Sequence, residues 1–578
     1  MSRIARFAFV SLSLAAILVA ACSQSPHQAD DPHAGPALTE SAEQAPGKPL
    51  PAPAPEPPPL HAPSPATEAY AYSRQASPSM AMDVGGSQPW SPPPAADREN
   101  YAPIDANPVH RVSEQPVSTF SVDVDTASYA NVRRMLNQGR LPPSDAVRAE
   151  EFINYFDYGY APPSQGTTPF ATHIEIAPSP WQAGRHLLLI GIQGWQVPVE
   201  QIPAANLVFL VDTSGSMNSP DKLELLKKSL GLLTRQLRPQ DRVAIVAYAG
   251  SAGIVLPSTP GSDQAAIVSA LAQLRAAGAT AGGAGLELAY TVARQHHVEG
   301  GVSRVILASD GDFNVGRVSI DDLTTQIGHQ RDSGIGLTVL GFGGGNFNDH
   351  LAEQLAAAGN GNYHYIDTLN EGRKVLVEQL SATVLTIAQD VKIQIEFNPA
   401  AVQEYRLIGY ENRLLAREDF NNDQVDAGDI GAGHNVTALY EITLAGSDAT
   451  TIDPLRYGQP DAGTARTDAR ADELAFLRLR YKRPGESASQ LIERPVRQGD
   501  VSVQASERLR FAAAVAGFAD ALRGGRHLGS YDLADLGHLA AGARGDDRYG
   551  YRGEFLQLLE LARVLKGEDS RSSGAGAD

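Results

Sequence analysis

Hydrophobic positions along this chain change rhythm, and the changes divide it. Residues 207–211 are a short apolar run bounded by turn residues, as a buried parallel strand is, and 243–248, 305–308, 337–341 and 362–366 also read as strands. Residues 222–237, 264–274, 283–295, 320–332, 349–358 and 369 to about 387 carry a helical period between or after them. Strand and helix alternating over about 180 residues predict an open, doubly wound, mostly parallel α/β sheet.

Outside that stretch the period is two. Residues 118–125, 172–177 and 186–192 alternate or run apolar before it, and 391–397, 405–410, 438–444 and 475–481 do so after it. These are expected to be antiparallel strands. The strands at 170–192 are expected to join the later ones, so that the α/β domain is an insertion between two parts of one β-sandwich. Helical patterns recur at 127–138, 146–156, 507–522 and 551–566. No internal repeat is visible.

The chain start reads differently. Arg3 and Arg6 precede an apolar run from Phe7 to Ala21, broken by Ser11 and Ser13. That is the pattern of a secretory signal, and it is shorter than the roughly 20 residues that span a bilayer. It ends Val19-Ala20-Ala21-Cys22, which resembles the bacterial lipobox. The resemblance implies cleavage before Cys22, lipidation of that residue and a firm membrane anchor. Ser23, rather than an Asp, points to the outer membrane. Cys22 is the single cysteine of the chain, so no internal disulfide and no cysteine metal site can form. From residue 23 to about 113 the chain is rich in Pro, Ala and Ser, a composition that cannot offset its ordering entropy. It is expected to be a disordered tether with order beginning near Val117. The expected organisation is therefore a signal peptide at 1–21, a lipidated cysteine and tether at 22–113, and a module at 114–200. Then come the α/β domain at 201–388, an antiparallel region at 389–485, a helical region at 486–566 and a disordered tail at 567–578.

Charge narrows the partners. Asp and Glu number 66 against 47 Lys and Arg, a net charge of −19, which phosphate backbones would repel. Nucleic acid is excluded as a partner.

The candidate chemistry follows the first α/β strand, at Asp212-Thr213-Ser214-Gly215-Ser216. The strand delivers a carboxylate and two hydroxyls to the carboxyl edge of the sheet, where doubly wound folds bind ligands. All are hard oxygens, suited to Mg²⁺, Mn²⁺ or Ca²⁺. The turn, with Thr280 in Gly278-Ala279-Thr280 and with Asp310 in Ser309-Asp310-Gly311, resembles the metal-ion-dependent adhesion site of the von Willebrand factor A family. The resemblance implies that Ser214 and Ser216 hold the metal directly and Thr280 does so in one state. Asp212 and Asp310 would act directly or through water, and Mg²⁺ is the expected ion. It implies an open position for an acidic side chain of a protein partner. Residues 118–129, 148–156 and 405–439 are similar to modules that flank this domain in a group of bacterial lipoproteins.

The resulting expectation is a membrane-anchored, metal-dependent binding or adhesion module and not an enzyme. A metal-assisted hydrolase or phosphatase at the same edge is the alternative, with a metal-independent scaffold as a third. Ser214 stands where an aspartyl phosphatase wants its second Asp, and no nucleophile elbow, zinc-protease motif or phosphate loop is present. Lesser signals have plainer readings. Asp123, Asp125 and Ser128 read as a strand face and helix cap, and residues 421–429 as a polar turn lacking the EF-hand spacing. His296 and His297 read as a helix end, and residues 341–346 lack the last glycine of a dinucleotide fingerprint. Asp312 reads equally as a tuner of the site or a solvated carboxylate.

Overall fold

Residues 205–212 are buried without exception, as a strand covered on both faces must be. They form the central strand of the α/β domain in a computed structural model. The structure describes residues 98–164, 168–280, 282–311, 319–453, 455–456 and 470–568. The expected signal peptide, Cys22, the tether up to residue 97, Asp312 and the tail from 569 lie outside the described residues.

Ahead of the α/β domain come β1 (His110–Arg111), β2 (Val117–Ser121), α1 (Ala127–Asn137), α2 (Ala149–Ile153), β3 (Phe170–Pro178) and β4 (His186–Gly194). The domain runs through β5 (Ala205–Asp212), α3 (Leu223–Thr234), β6 (Arg242–Tyr248), β7 (Ala252–Pro260), α4 (Gln264–Gln273) and α5 (Gly282–Gln295). It continues with β8 (Val302–Ser309), α6 (Ile320–Asp332), β9 (Ile335–Phe342), α7 (Asp349–Ala358), β10 (Tyr363–Ile366), α8 (Leu369–Arg373) and α9 (Leu380–Val384). After it lie β11 (Thr386–Phe397), β12 (Val402–Ile408), β13 (Ile430–Gly431), β14 (Asn435–Leu444), β15 (Glu473–Lys482) and β16 (Gln490–Arg497). The helices α10 (Glu507–Leu522), α11 (Leu533–Ala541) and α12 (Tyr551–Lys566) close the described chain.

The α/β sheet has the order β10-β9-β8-β5-β6-β7, parallel except for β7 at its edge. Its two faces bury separate apolar clusters, one with Val208 and Leu210 under α5 and α7, the other with Leu207 and Phe209 under α3 and α4. A sandwich holds the domain. One sheet runs β1-β12-β14-β4-β3, and the other runs β13-β11-β15-β16 with β2 paired to β11. Leu189 of β4 lies opposite Leu439 of β14, and Phe120 of β2 opposite Ile393 of β11. Strands from before and after the α/β domain thus share both sheets, and the domain is an insertion in the sandwich. The outer face of the first sheet is covered by α2, α10 and α12, where Phe156 meets Phe511 and Phe555 edge-on.

Several boundaries differ from the sequence reading. Residues 98–113, expected in the tether, are ordered: Asn107 Nδ2 donates to the carbonyls of Leu407 and Gly409, His110 pairs with Tyr405, and Val112 enters the sandwich core. The helix expected from 369 to about 387 breaks into α8, a π-turn at Lys374–Glu378 and α9, and strand begins at Thr386. Residues 490–497, assigned to the helical region, are a sandwich strand against β15. The edge strand β7 escaped the pattern because only Leu256 in it is buried and it carries Pro257 and Pro260, tolerable only at an edge.

Candidate metal centre at the carboxyl edge of the sheet

Strand β5 ends at Asp212, between the ends of β6 and β8. The side chain is wholly buried and held from three sides. Oδ1 accepts from the Ser214 N–H at 2.8 Å, and Oδ2 accepts from the hydroxyls of Tyr248 and Ser309, each at 3.2 Å. Burial raises its pKa above the ordinary carboxylate range, and the nearby Asp310 charge adds to the rise. Beyond it the turn presents Ser214 Oγ and Ser216 Oγ 3.0 Å apart, the first buried and the second exposed at the rim.

The loop before Thr280 is stitched to this turn. Gly215 N–H donates to Gly278 O at 2.9 Å, and Ala277 N–H to Thr213 O at 2.8 Å. Gly278 has φ +87°, a left-handed conformation that suits glycine. Thr280 follows, half-buried, just ahead of α5. Asp310, fully buried, leaves the end of β8. The next residue, Gly311, has φ +85° and lies so close to Asn348 N and Phe347 that a Cβ would collide with both. The structure therefore gathers all five expected residues at one sheet edge.

Four residues that the sequence reading passed over complete the site. Tyr248 and Ser309 clamp Asp212. Lys222 Nζ donates to Asp310 Oδ2 at 2.9 Å and to Asn346 Oδ1 at 3.2 Å, and Asn346 Nδ2 lies 3.5 Å from Asp310 Oδ2. A signal existed for Lys222: it stands at the N-cap position of α3, where the helix dipole disfavours a cation unless a carboxylate compensates. The loop bearing Asn346 is pinned from behind. Arg98 N–H donates to Gly345 O, Glu99 Oε1 accepts from Gly345 N–H, and Glu99 also pairs with Arg134.

The donor set fits a hard cation. Every candidate atom is oxygen, and two hydroxyls about 3 Å apart match neighbouring corners of an octahedron with metal–oxygen bonds near 2.1 Å. Among the described residues no three His, Cys, Asp or Glu side chains assemble into a metal cluster, so a cation would have to draw on hydroxyls. The weaker candidates are engaged otherwise. Asp123 and Asp125 both pair with Arg413, and in the 421–429 loop Asp423 pairs with Arg480 and Asp426 with Arg331.

Fold and site together define a von Willebrand factor type A protein. The family model described as von Willebrand factor type A domain matches residues 206–379, one described as von Willebrand factor matches 95–189, and "Uncharacterized protein YfbK, C-terminal" matches 382–565. The chain belongs to the YfbK family: it is 49% identical over 468 residues to "Uncharacterized protein YfbK" of Escherichia coli K12, a match covering 80% of each chain. It is also 31% identical over 187 residues to "Uncharacterized protein sll0103" of Synechocystis, covering 32% of this chain and 43% of that one. Among solved structures, a von Willebrand factor type A protein from Catenulispora acidiphila is 17% identical over 66% of this chain and 88% of its own, with a TM-score of 0.37. The ArnB paralog VWA2 from Sulfolobus acidocaldarius is 13% identical over 69% and 98%, with a TM-score of 0.32.

Proposed function

We propose that this chain is a lipid-anchored protein-binding module of the cell envelope whose Asp212 turn, with Thr280 and Asp310, holds a divalent cation, Mg²⁺ foremost. The observation that carries this reading is the paired hydroxyls of Ser214 and Ser216 on the rim of a buried carboxylate, with the Thr280 loop hydrogen-bonded to the same turn. Ser214, Ser216 and Thr280 would hold the ion through their hydroxyls. Asp212 balances its charge, and Asp310, already bonded to Lys222, acts through water. A bound hard cation supplies positive charge and a free position for an anionic oxygen, here the carboxylate of a protein partner.

The reading is binding rather than turnover. Both oxygens of Asp212 are taken by hydrogen bonds and Asp310 is paired with an ammonium, so neither carboxylate is poised as a general base. No helix among the described residues is long and apolar enough to cross a membrane, and attachment is assigned to lipid on Cys22.

The test is capture of partners from an envelope extract by the full chain, with Mg²⁺ or with EDTA. Partners should be lost in EDTA and with Asp212→Asn, which keeps the size of the side chain but drops Mg²⁺ affinity by about 10–100-fold or more. Capture that ignores both changes would overturn the metal dependence.

A further inference from the structure

The loop that carries Asn346 is poorly equipped to hold its own shape. Gly343, Gly344 and Gly345 stand in a row, the first and last at φ +66° and +90°, and glycine loses more freedom on ordering than any other residue. Its order comes from the first described residues. Arg98 N–H donates to Gly345 O at 2.9 Å, Asn100 N–H to Phe347 O at 3.0 Å, and Asp349 N–H to Asn100 O at 3.1 Å, so residues 98–100 run beside the loop as a parallel strand would.

Between those bonds Glu99 turns its side chain to the loop. That side chain is 3% exposed, and Oε1 accepts from Gly345 N–H at 2.8 Å. The same carboxylate is held from α1. Arg134 Nη2 donates to both of its oxygens, at 2.8 and 2.9 Å. The Tyr101 hydroxyl donates to Oε2 at 2.6 Å and accepts from Asn131 Nδ2 at 2.8 Å. Arg134 in turn lies over the Tyr365 ring of β10. Glu99 therefore ties a glycine loop to a buried helix.

From the loop the contacts continue to the sheet edge. Asn346 Oδ1 accepts from Lys222 Nζ at 3.2 Å, and Lys222 Nζ donates to Asp310 Oδ2 at 2.9 Å. Phe347 and Asn348 close on Gly311 so tightly that a Cβ there would lie 2.5 Å from Asn348 N. One side of the Asp310–Gly311 turn is thus the loop that Glu99 holds.

We propose that Glu99 is a positioning residue for the metal site, fixing through Gly345 the loop against which the Asp310–Gly311 turn is set. The inference rests on the metal reading above. Its rival is a Glu99 that merely pairs with Arg134, a role that leaves Mg²⁺ binding by the folded chain untouched.

Mg²⁺ titration calorimetry and amide hydrogen exchange on the full chain, both well below the melting temperature, test it. Glu99→Ala should speed exchange across residues 343–349 and weaken Mg²⁺ binding about tenfold, the size of loss that follows when a metal ligand loses an outer partner. Glu99→Gln keeps an oxygen for Gly345 N–H and should restore most of both. Tyr101→Phe removes only the hydroxyl that holds Glu99 and should show both changes on a smaller scale; it decides the matter if Glu99→Ala does not fold. Faster exchange with unchanged Mg²⁺ affinity, or unchanged exchange, overturns the proposal. So does a Gln variant as weak as the Ala variant, which would make the charge of Glu99 the cause instead of the loop. Mg²⁺ binding by no chain, wild type included, overturns the metal reading, and the inference falls with it.

Discussion

Arg133, on α1, donates through Nε and Nη2 to Asp367 at 2.8 and 2.5 Å, joining the segment ahead of the α/β domain to the residue that follows its last strand. The same guanidinium reaches Glu371 of α8 at 2.8 Å, Glu554 of α12 at 2.9 Å and the Tyr155 hydroxyl at 2.8 Å. Arg133 is 1% exposed, so one buried cation ties three parts of the chain.

Arg133→Met should therefore destabilise strongly, by about 3–5 kcal/mol, because it strands buried carboxylates instead of replacing the network as a whole. Urea unfolding followed by circular dichroism measures this. A loss under about 1 kcal/mol would mean that apolar packing, not the network, joins these parts.

Gly311→Ala should cost roughly 1–3 kcal/mol, since φ is +85° and the new Cβ would lie 2.5 Å from Asn348 N. The strain falls next to Asp310, so Mg²⁺ affinity should drop with stability. A variant with wild-type melting and wild-type affinity would show that this turn is not constrained.

Glu150 predicts a pH dependence. Burial pushes its carboxyl up to about 8 from 4.5, and the charges of Glu411 and Asp123 add to the rise. The folded value lies above the unfolded one, so the folded chain holds the proton more tightly. The stability this confers is full below about 4.5 and is lost as pH rises through about 8. Glu150→Gln, which can still accept from Tyr410 N–H, should raise the melting temperature at pH 8.5 and leave it nearly unchanged at pH 4.5. Equal shifts at both values would remove Glu150 as the cause.

With the lipid anchor proposed on Cys22, Cys22→Ser should move the protein from the membrane fraction to the soluble fraction, because the chain has no other thiol to take its place. Persistent tight association would require a different anchor.

What the sequence determined by itself is local. A run of apolar residues long enough to be covered on both faces announced β5, and the carboxylate and hydroxyls that follow it announced the Asp212 turn, since neighbours along the chain carry both signals. Tertiary structure decided the rest. The insertion became a fact only when Leu189 met Leu439 across 250 residues, a pairing that period alone suggests but does not register. The ordering of residues 98–113 depends on distant backbone carbonyls that accept from Asn107, invisible to composition. The clamp on Asp212 comes from the ends of β6 and β8, and the partners of Asp310 from the segments after β5 and β9, all brought to one edge by the parallel strand order. Tyr248, Ser309, Lys222 and Asn346 share no spacing with Asp212, so only the folded sheet makes them neighbours.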